Sequence, residues 1–566
     1  MQKLYTQAGK HLPEIPWNTY PRPQMRRERW LCLNGTWDFQ CGEVKGSIVV
    51  PFCPESLLSG LDGFSDYGRE MIYRRSFTIP ADWKRDRILL HFGAVSRHAE
   101  VWVNKKKVCT HENGYLPFSA DITDYIREAE NELQVHAVND ISPKHPWGKQ
   151  KIKRGGMWYT PVSGIWQTVW LEPVPEDHIQ GLRIQTHGNN VTITADGSAD
   201  GVVTLDGQEY RMEQGSAVFS IDDPVFWTPE QPYLYHFSVT CGEDHVDSYF
   251  ALRDLSVGTV GGKKRLFLNG KPFFFHGLLD QGYWSDGLYT PAVPEAYEQD
   301  ILAMKSLGFN TLRKHIKIEP QQFYFDCDRL GMIVFQDMVN CGIYRYIRDT
   351  VLPTIGLQKH PDRNLHRDPE MRRNFVQAME ETVKLLKNHP SICLWTIFNE
   401  GWGQFCADEM YDLLKGMDQT RWIDATSGWF HQKKSDVDSR HIYFSKLKLG
   451  DKPLPQLLSE FGGYSLKIPS HIANTARNYG YRDFTDRESF VSALQELYLT
   501  HILPMFEDGL SGAVYTQVSD VEDETNGFLT YDRSVMKVTP DEMREITKKI
   551  HMITADLMRD SAAPVL

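Results

Sequence analysis

Leu394-Trp395-Thr396-Ile397-Phe398-Asn399-Glu400-Gly401-Trp402-Gly403 is an apolar run that stops abruptly at Asn-Glu and is followed by small residues and a Trp. A run this short and aromatic-rich reads as a buried strand, and its continuous apolarity suits a parallel sheet covered on both faces. Asn399 and Glu400 then stand at the strand's C-terminal end. In a (β/α)8 barrel that end houses the chemistry. A carboxylate there, beside an amide able to hold a sugar hydroxyl, points to cleavage of a glycosidic bond.

Leu457-Leu458-Ser459-Glu460-Phe461-Gly462-Gly463-Tyr464 repeats the pattern: a short apolar run, a Glu, then glycines. The separation from Glu400 leaves room for two βα units at roughly 30 residues each. If Glu400 ends the fourth strand, Glu460 ends the sixth or, with tighter units, the seventh. A lone strand-end Glu is as readily a structural ion-pair partner as a catalyst. Two with matching surroundings, both aimed into one mouth, favour a catalytic pair.

Working outward, repeated strand–helix alternation extends over residues 259–566. Phe273-Phe274-Phe275-His276-Gly277 precedes a helix near Pro294 to Leu307, and Gly308 to Arg313 follows as a strand. Gln321 to Leu330 reads as a helix and Ile333 to Asp337 as the next strand. Met371 to Lys387 is a long amphipathic helix ahead of the Asn-Glu strand. This alternation predicts a catalytic (β/α)8 TIM barrel. Residues 1–175 instead carry strand-like runs such as Ile88 to Phe92, Ala99 to Val103 and Glu132 to Val138, with weak helical periodicity, and suit a jelly-roll β-sandwich. Residues 176–258 hold short alternating segments, among them Val191 to Thr194 and Val202 to Leu205, and suit an immunoglobulin-like β-sandwich. The expected protein is therefore multidomain, as its 566 residues already require.

The net charge of −12 is spread without long runs, so no basic face is available to displace phosphate counterions and a nucleic-acid partner is not expected. The locally basic stretch Lys149 to Arg154 reads as a solvated loop. Nine scattered Cys without a Cys-x-x-Cys pair offer no metal-like spacing and suggest reduced thiols. Met1 to Trp17 lacks the apolar core of a signal peptide, and no stretch approaches a membrane span. These features predict a soluble cytoplasmic protein with no membrane partner, and the two strand-end glutamates add a carbohydrate or glycoconjugate substrate. A homo-oligomer is left open.

The chain resembles glycoside hydrolase family 2, the group of β-galactosidases, β-glucuronidases and β-mannosidases. The resemblance rests on Tyr20-Pro21-Arg22-Pro23, Leu33-Asn34-Gly35-Thr36-Trp37-Asp38-Phe39, Gly114-Tyr115-Leu116-Pro117-Phe118, Ser163-Gly164-Ile165-Trp166-Gln167 and Trp227-Thr228-Pro229. Asn388-His389-Pro390-Ser391-Ile392 leading into Asn399-Glu400 resembles the family's acid/base signature. The resemblance implies Glu400 as general acid/base, Glu460 as nucleophile, Asn399 as the group on the 2-hydroxyl, and Arg313 as the cation beside the nucleophile. His441 and Tyr443 resemble a family segment between the two glutamates, Tyr443 reading equally as packing. Trp429, Tyr515 and Gln517 are candidate sugar-site residues. His315 lies one place short of the position where better-known relatives keep their His.

Sugar identity is less legible. The chain has no Asn-x-Lys after Glu460, the pair with which β-glucuronidases hold a carboxylate. Arg345 and Arg348, after Asp337, could meet a carboxylate instead, although two arginines on a loop usually mark a solvated face. His276-Gly277-Leu278-Leu279-Asp280 lacks the galactosidase Asn-Arg-His-Glu, which removes a metal-linked Glu and predicts no obligatory Mg²⁺ and no other cofactor. Asp280 could bind substrate hydroxyls. The sequence expectation is an exo-acting retaining β-glycosidase with β-galactoside first. A β-uronidase, a xylanase-like endo-enzyme and a non-catalytic carbohydrate-binding protein are the alternatives, and retention of both Glu400 and Glu460 speaks against the last.

Overall fold

The computed structural model describes residues 2–61, 63–83, 86–357, 361–443, 446–450 and 452–562. Strands between Leu31 and Val174 build a six-stranded and a four-stranded antiparallel sheet. The strand Asn131–Val138 alternates buried and half-buried residues, as period-two side-chain placement demands. Its inward Leu133, Val135 and Ala137 meet Trp37, Tyr73, Leu90 and Val101 in one core. Strands between Gly181 and Phe250 form three- and four-stranded sheets closing on Val191, Ile193, Val203, Phe237 and Val239. These are the jelly-roll and immunoglobulin-like sandwiches that the strand patterns predict.

The barrel has eight parallel strands: β1 Phe275–Asp280, β2 Thr311–Lys314, β3 Ile333–Asp337, β4 Ile392–Asn399, β5 Trp422–Ser427, β6 Asp438–Ile442, β7 Gln456–Phe461 and β8 Leu510–Tyr515. They hydrogen-bond in the order 5-4-3-2-1-8-7-6. The seam between β5 and β6 is tied by the Asp436 amide donating to the Ile423 carbonyl at 2.9 Å and Ser439 Oγ donating to Asp424 Oδ1 at 2.9 Å. Among the described residues no helix joins β5 to β6 or β6 to β7. Glu460 therefore lies on the seventh strand although it follows Glu400 closely.

Helices α1 Glu295–Ser306, α2 Gln321–Leu330, α3 Pro369–Leu386 and α4 Ala407–Met417 cover the outside. α3 shows why: Met371, Phe375, Ala378, Met379, Thr382, Val383 and Leu386 recur at three- to four-residue spacing and are all buried. Asp368 caps it, accepting from the Glu370 amide at 2.9 Å. The barrel floor is plugged by Leu266 and Leu268, which pack against Phe275, Ile333, Leu394, Leu457 and Val514. Asn388, just before β4, donates to the Leu182 carbonyl of the second sandwich at 2.7 Å, while His389 Nδ1 lies 2.7 Å from Asp328 Oδ2. All nine cysteines stand free, and no described helix is long and apolar enough to cross a membrane.

Candidate active site

The C-terminal ends of β2, β3, β4, β6 and β7 converge on one guanidinium. Arg313, on β2, is 1% exposed. Its Nε donates to Asp337 Oδ1 at 3.0 Å, its Nη2 to Asn399 Oδ1 at 2.8 Å, and its Nη1 to Glu460 Oε1 and the Ser459 carbonyl, each at 3.0 Å. A buried cation costs several kcal/mol in desolvation unless paired and hydrogen-bonded, so these contacts define where its neighbours must sit. Asn399 Oδ1 is used by Arg313, which orients the amide so that Nδ2 remains a donor for a substrate oxygen.

Glu460 accepts a second hydrogen bond at Oε2, from the Tyr443 hydroxyl at 2.5 Å. Burial, the largest influence, works to raise the Glu460 carboxyl, and the His441 imidazole and Arg313 guanidinium overcome it, holding it at about 2. Glu460 is thus a buried carboxylate kept ionised. Tyr443 stacks on Tyr481 with ring centroids 3.6 Å apart and touches Thr516 Oγ1 at 2.9 Å.

Glu400 follows the last residue of β4 in the left-handed region, at φ +54°, where a non-glycine backbone is costly and is met mainly at constrained sites. Its amide donates to the Ser427 carbonyl at 3.0 Å. Gly401 is required next: a Cβ there would stand 2.3 Å from the Phe430 ring. Glu400 Oε1 lies 2.7 Å from His441 Nδ1, and its side chain is 16% exposed against 5% for Glu460. His441 Nε2 is 3.2 Å from Arg313 Nη1. His441 thus bridges the two sides of the site, its Nε2 facing the Arg313 guanidinium and its Nδ1 facing Glu400 Oε1. Carboxylate oxygens of Glu400 and Glu460 and a His441 nitrogen all lie within 4.8 Å of one another. This trio could geometrically ligate an ion, but Arg313 already supplies the positive charge at Glu460.

The other expected residues divide. Trp429 is half-buried at the mouth, its Nε1 donating to the Glu400 carbonyl at 3.1 Å and its ring edge-on to His441. Three differ from expectation. Tyr515 has no free face: its ring fills the space beside Gly462 and packs on Phe461 and Phe528, and its hydroxyl accepts from the Tyr464 amide at 2.9 Å. Gln517 is fully buried, its Nε2 donating to Glu524 Oε2 and Asn526 Oδ1 and its Oε1 accepting from Gln281. Asp280 accepts from Lys314 Nζ at 2.6 Å and the Gly282 amide at 2.9 Å, which commits both its oxygens. Arg348 is engaged by Asp349 and by His366 Nε2 at 2.8 Å, and Arg345 is exposed.

In the Lys149 to Arg154 stretch, expected as a solvated loop, Ile152 and Lys153 are exposed, while Gln150 is buried and Lys149, Lys151 and Arg154 are half-buried beside the mouth. Lys151 Nζ sits 3.8 Å above the Trp158 ring, and Arg154 pairs with Glu522 at 3.2 Å. Glu524 and Tyr481 also join the site's surroundings, and neither carried a strand-end or motif signal in the sequence.

Family models match the chain between residues 63 and 454: the glycosyl hydrolases family 2 sugar binding domain over residues 63–175, the glycosyl hydrolases family 2 model over 174–253, and the family 2 TIM barrel domain over 260–454. Among curated proteins the chain is 25% identical over 418 residues to a β-glucuronidase of Bacteroides fragilis, covering 65% of this chain and 56% of the relative. It is 25% identical over 394 residues to a β-galactosidase of Thermoanaerobacter pseudethanolicus, covering 64% and 49%. The aligned stretch thus spans about half the length of these two relatives. The fold is similar to that of the Dictyoglomus thermophilum β-D-glucuronidase, with a TM-score of 0.73, 20% identity and coverage of 96% of this chain and 99% of that one. It is also similar to a family 2 β-galacturonidase of Eisenbergiella tayi bound to galacturonate, with a TM-score of 0.69, 20% identity and coverage of 94% and 99%.

Proposed function

The chain belongs to glycoside hydrolase family 2, and from that premise we propose that it is an exo-acting retaining β-glycosidase releasing one terminal sugar from a glycoside. The carrying observation is the carboxyl pair: oxygens of Glu400 and Glu460 within 4.8 Å, with Glu460 buried and held ionised. Retaining enzymes keep their carboxyls about 5 Å apart, whereas inverting ones leave roughly 6.5–9.5 Å for a water.

In this reading Glu460 attacks the anomeric carbon as Glu400 gives its proton to the departing glycosidic oxygen. The aglycone leaves as an alcohol and the sugar is esterified to Glu460. Glu400, now a carboxylate, takes a proton from water, whose oxygen displaces Glu460 and yields the sugar with its configuration retained. Asn399 Nδ2 meets the 2-hydroxyl, and Trp429 offers a ring to the sugar or its aglycone. The exo assignment is supported by the segment around Trp147 and Trp158, which stack at 5.6 Å and press edge-on against Trp402, walling one side of the mouth.

For the sugar, we place β-D-uronides ahead of the β-galactosides that the sequence alone put first. Support comes from the β-glucuronidases and β-galacturonidase of like fold, while the T. pseudethanolicus relative keeps β-galactosides as the second reading. A panel of p-nitrophenyl β-glucuronide, β-galacturonide, β-galactoside, β-glucoside and β-mannoside tests both levels, with proton NMR following the first-formed anomer. The expected result is release of the β-anomer, fastest from a uronide. First release of the α-anomer would overturn retention, and silence on all of them would overturn the activity.

A further inference from the structure

Among the described residues Lys149 is a cation at the mouth that nothing in the chain neutralises by contact. It comes from the first sandwich, on a segment pinned to the barrel at both flanks. The Trp147 amide donates to the Asn340 carbonyl at 3.2 Å and its Nε1 to the Gly342 carbonyl at 3.1 Å. Gly148, at φ +65°, lies so close that a Cβ would stand 2.5 Å from the Tyr115 hydroxyl and 3.4 Å from the Ile316 carbonyl of the loop after β2. Gln150 Nε2 donates to the hydroxyls of Tyr115 at 2.8 Å and Tyr289 at 3.1 Å. The Lys149 carbonyl accepts from the Tyr159 amide at 2.9 Å, and the Tyr159 hydroxyl donates to Glu524 Oε1. The backbone of residue 149 is therefore fixed over the catalytic end of the barrel.

Its half-buried ammonium makes no hydrogen bond and no ion pair among the described residues, although its charge helps lower Glu460 and His315. Of the neighbouring cations, Lys151 is spent on Trp158 and Arg154 on Glu522, while Lys153 is exposed. Glu524 is spent too, on Tyr159, Gln517 and Asn526. Beside this lysine stands a second unmet group. His315 is fully buried, its Nδ1 is 2.7 Å from Asp337 Oδ2, and its Nε2 has no partner. Burial and then Lys149 push His315 down to about 4, so the ring is neutral and Nε2 is a vacant acceptor. An unpaired cation and an orphaned buried acceptor together fit a ligand bearing an anion and a hydroxyl.

We propose that Lys149 receives the C6 carboxylate of a β-D-hexuronide whose anomeric carbon faces Glu460, with His315 Nε2 accepting from a hydroxyl of the same sugar. The proposal rests on the uronide reading above and assigns acid recognition to the first sandwich, in place of the Asn-x-Lys that is missing after Glu460. A carboxylate in a mouth already holding Glu400, Glu460 and Glu524 needs such a cation to offset like-charge repulsion.

The test measures kcat/KM of the full chain and its Lys149→Met, Lys149→Arg and Arg345→Gln variants on p-nitrophenyl β-glucuronide and β-galacturonide against the 6-hydroxyl counterparts, β-glucoside and β-galactoside. Loss of one charge-assisted contact predicts a roughly 10- to 150-fold drop on the uronides for Lys149→Met, with the neutral glycosides within about threefold. Lys149→Arg should restore much of the uronide rate, and Arg345→Gln should leave the acid-to-neutral ratio unchanged. Equal losses for Lys149→Met on acidic and neutral sugars would overturn the assignment while leaving the uronide reading intact. A wild-type chain that cleaves neutral glycosides and no uronide would overturn both.

Discussion

Replacing Tyr443 with Phe isolates one hydroxyl. The ring stays stacked on Tyr481 at 3.6 Å, while Glu460 Oε2 loses its 2.5 Å donor. A hydrogen bond to a charged group contributes about 1.5–3 kcal/mol. In the first half-reaction the negative charge leaves Glu460, so the donor stabilises the reactant more than the transition state. In the second half-reaction Glu460 is the leaving group and the charge returns, so the donor helps. Tyr443→Phe should therefore slow deglycosylation selectively. If half the interaction is recovered at that transition state the slowing is about 4- to 13-fold, and if all of it is, roughly 10- to 150-fold. With a 2,4-dinitrophenyl glycoside of the preferred sugar, kcat and KM should fall together while kcat/KM stays within about threefold. Stopped-flow should show a burst of one equivalent of dinitrophenolate. A fall in kcat/KM as large as that in kcat, without a burst, would refute the charge argument and place the hydroxyl's contribution in the first step.

Two further outcomes follow from the same network. Glu400→Ala should slow poor leaving groups by orders of magnitude more than dinitrophenolates, with azide restoring turnover of the latter as a β-glycosyl azide; equal losses throughout, without rescue, would count against proton donation by Glu400. Glu460 carries a stability signature as well. Its folded carboxyl, at about 2, lies below the unfolded value near 4.3, so its ionisation stabilises the fold by on the order of 3 kcal/mol above that pH, and the contribution fades as pH falls toward 2. Glu460→Gln should accordingly lower the urea midpoint most at neutral pH, with the gap narrowing below pH 4, and a gap that widens in acid would contradict the sign.

The parts of the site that were legible in the sequence are those where burial forces a pattern. β4 is covered on both faces, so it reads as an unbroken apolar run and its polar end is conspicuous. The same holds for β7 and Glu460. The strand number of Glu460 stayed open between six and seven because β5, β6 and β7 follow one another without the helices that usually space them. Tyr515 was misplaced for a different reason. Its position at the end of β8 sets its height in the barrel, but which way the ring turns depends on the glycine across from it: Gly462, on the loop after β7, has no Cβ to keep the ring out. Gln517 and Asp280 likewise sit at the right height, and partners from distant segments, Glu524 and Lys314, claim their polar atoms.

Arg313 explains why the reaction could be read from short strings while the sugar could not. Its guanidinium touches Asp337, Asn399, His441 and Glu460, all at strand ends, so the catalytic geometry follows from the barrel's own register once those four residues are in place. None of these contacts reaches the far side of a sugar ring. The groups that stand there belong to another domain: Lys149, positioned by Trp147, Gly148 and Gln150, none of which has a catalytic side chain. A spacing rule within one fold cannot register a residue delivered by a second fold. If the two sets of contacts are as separable as their elements, substitutions at Lys149 should change which sugar is taken without altering which step limits turnover of a neutral glycoside. Substitutions at Tyr443 should do the reverse, altering the rate-limiting step for every sugar alike. A Lys149 variant that abolished or created a burst on a neutral dinitrophenyl glycoside would mean that the two sets of contacts act as one.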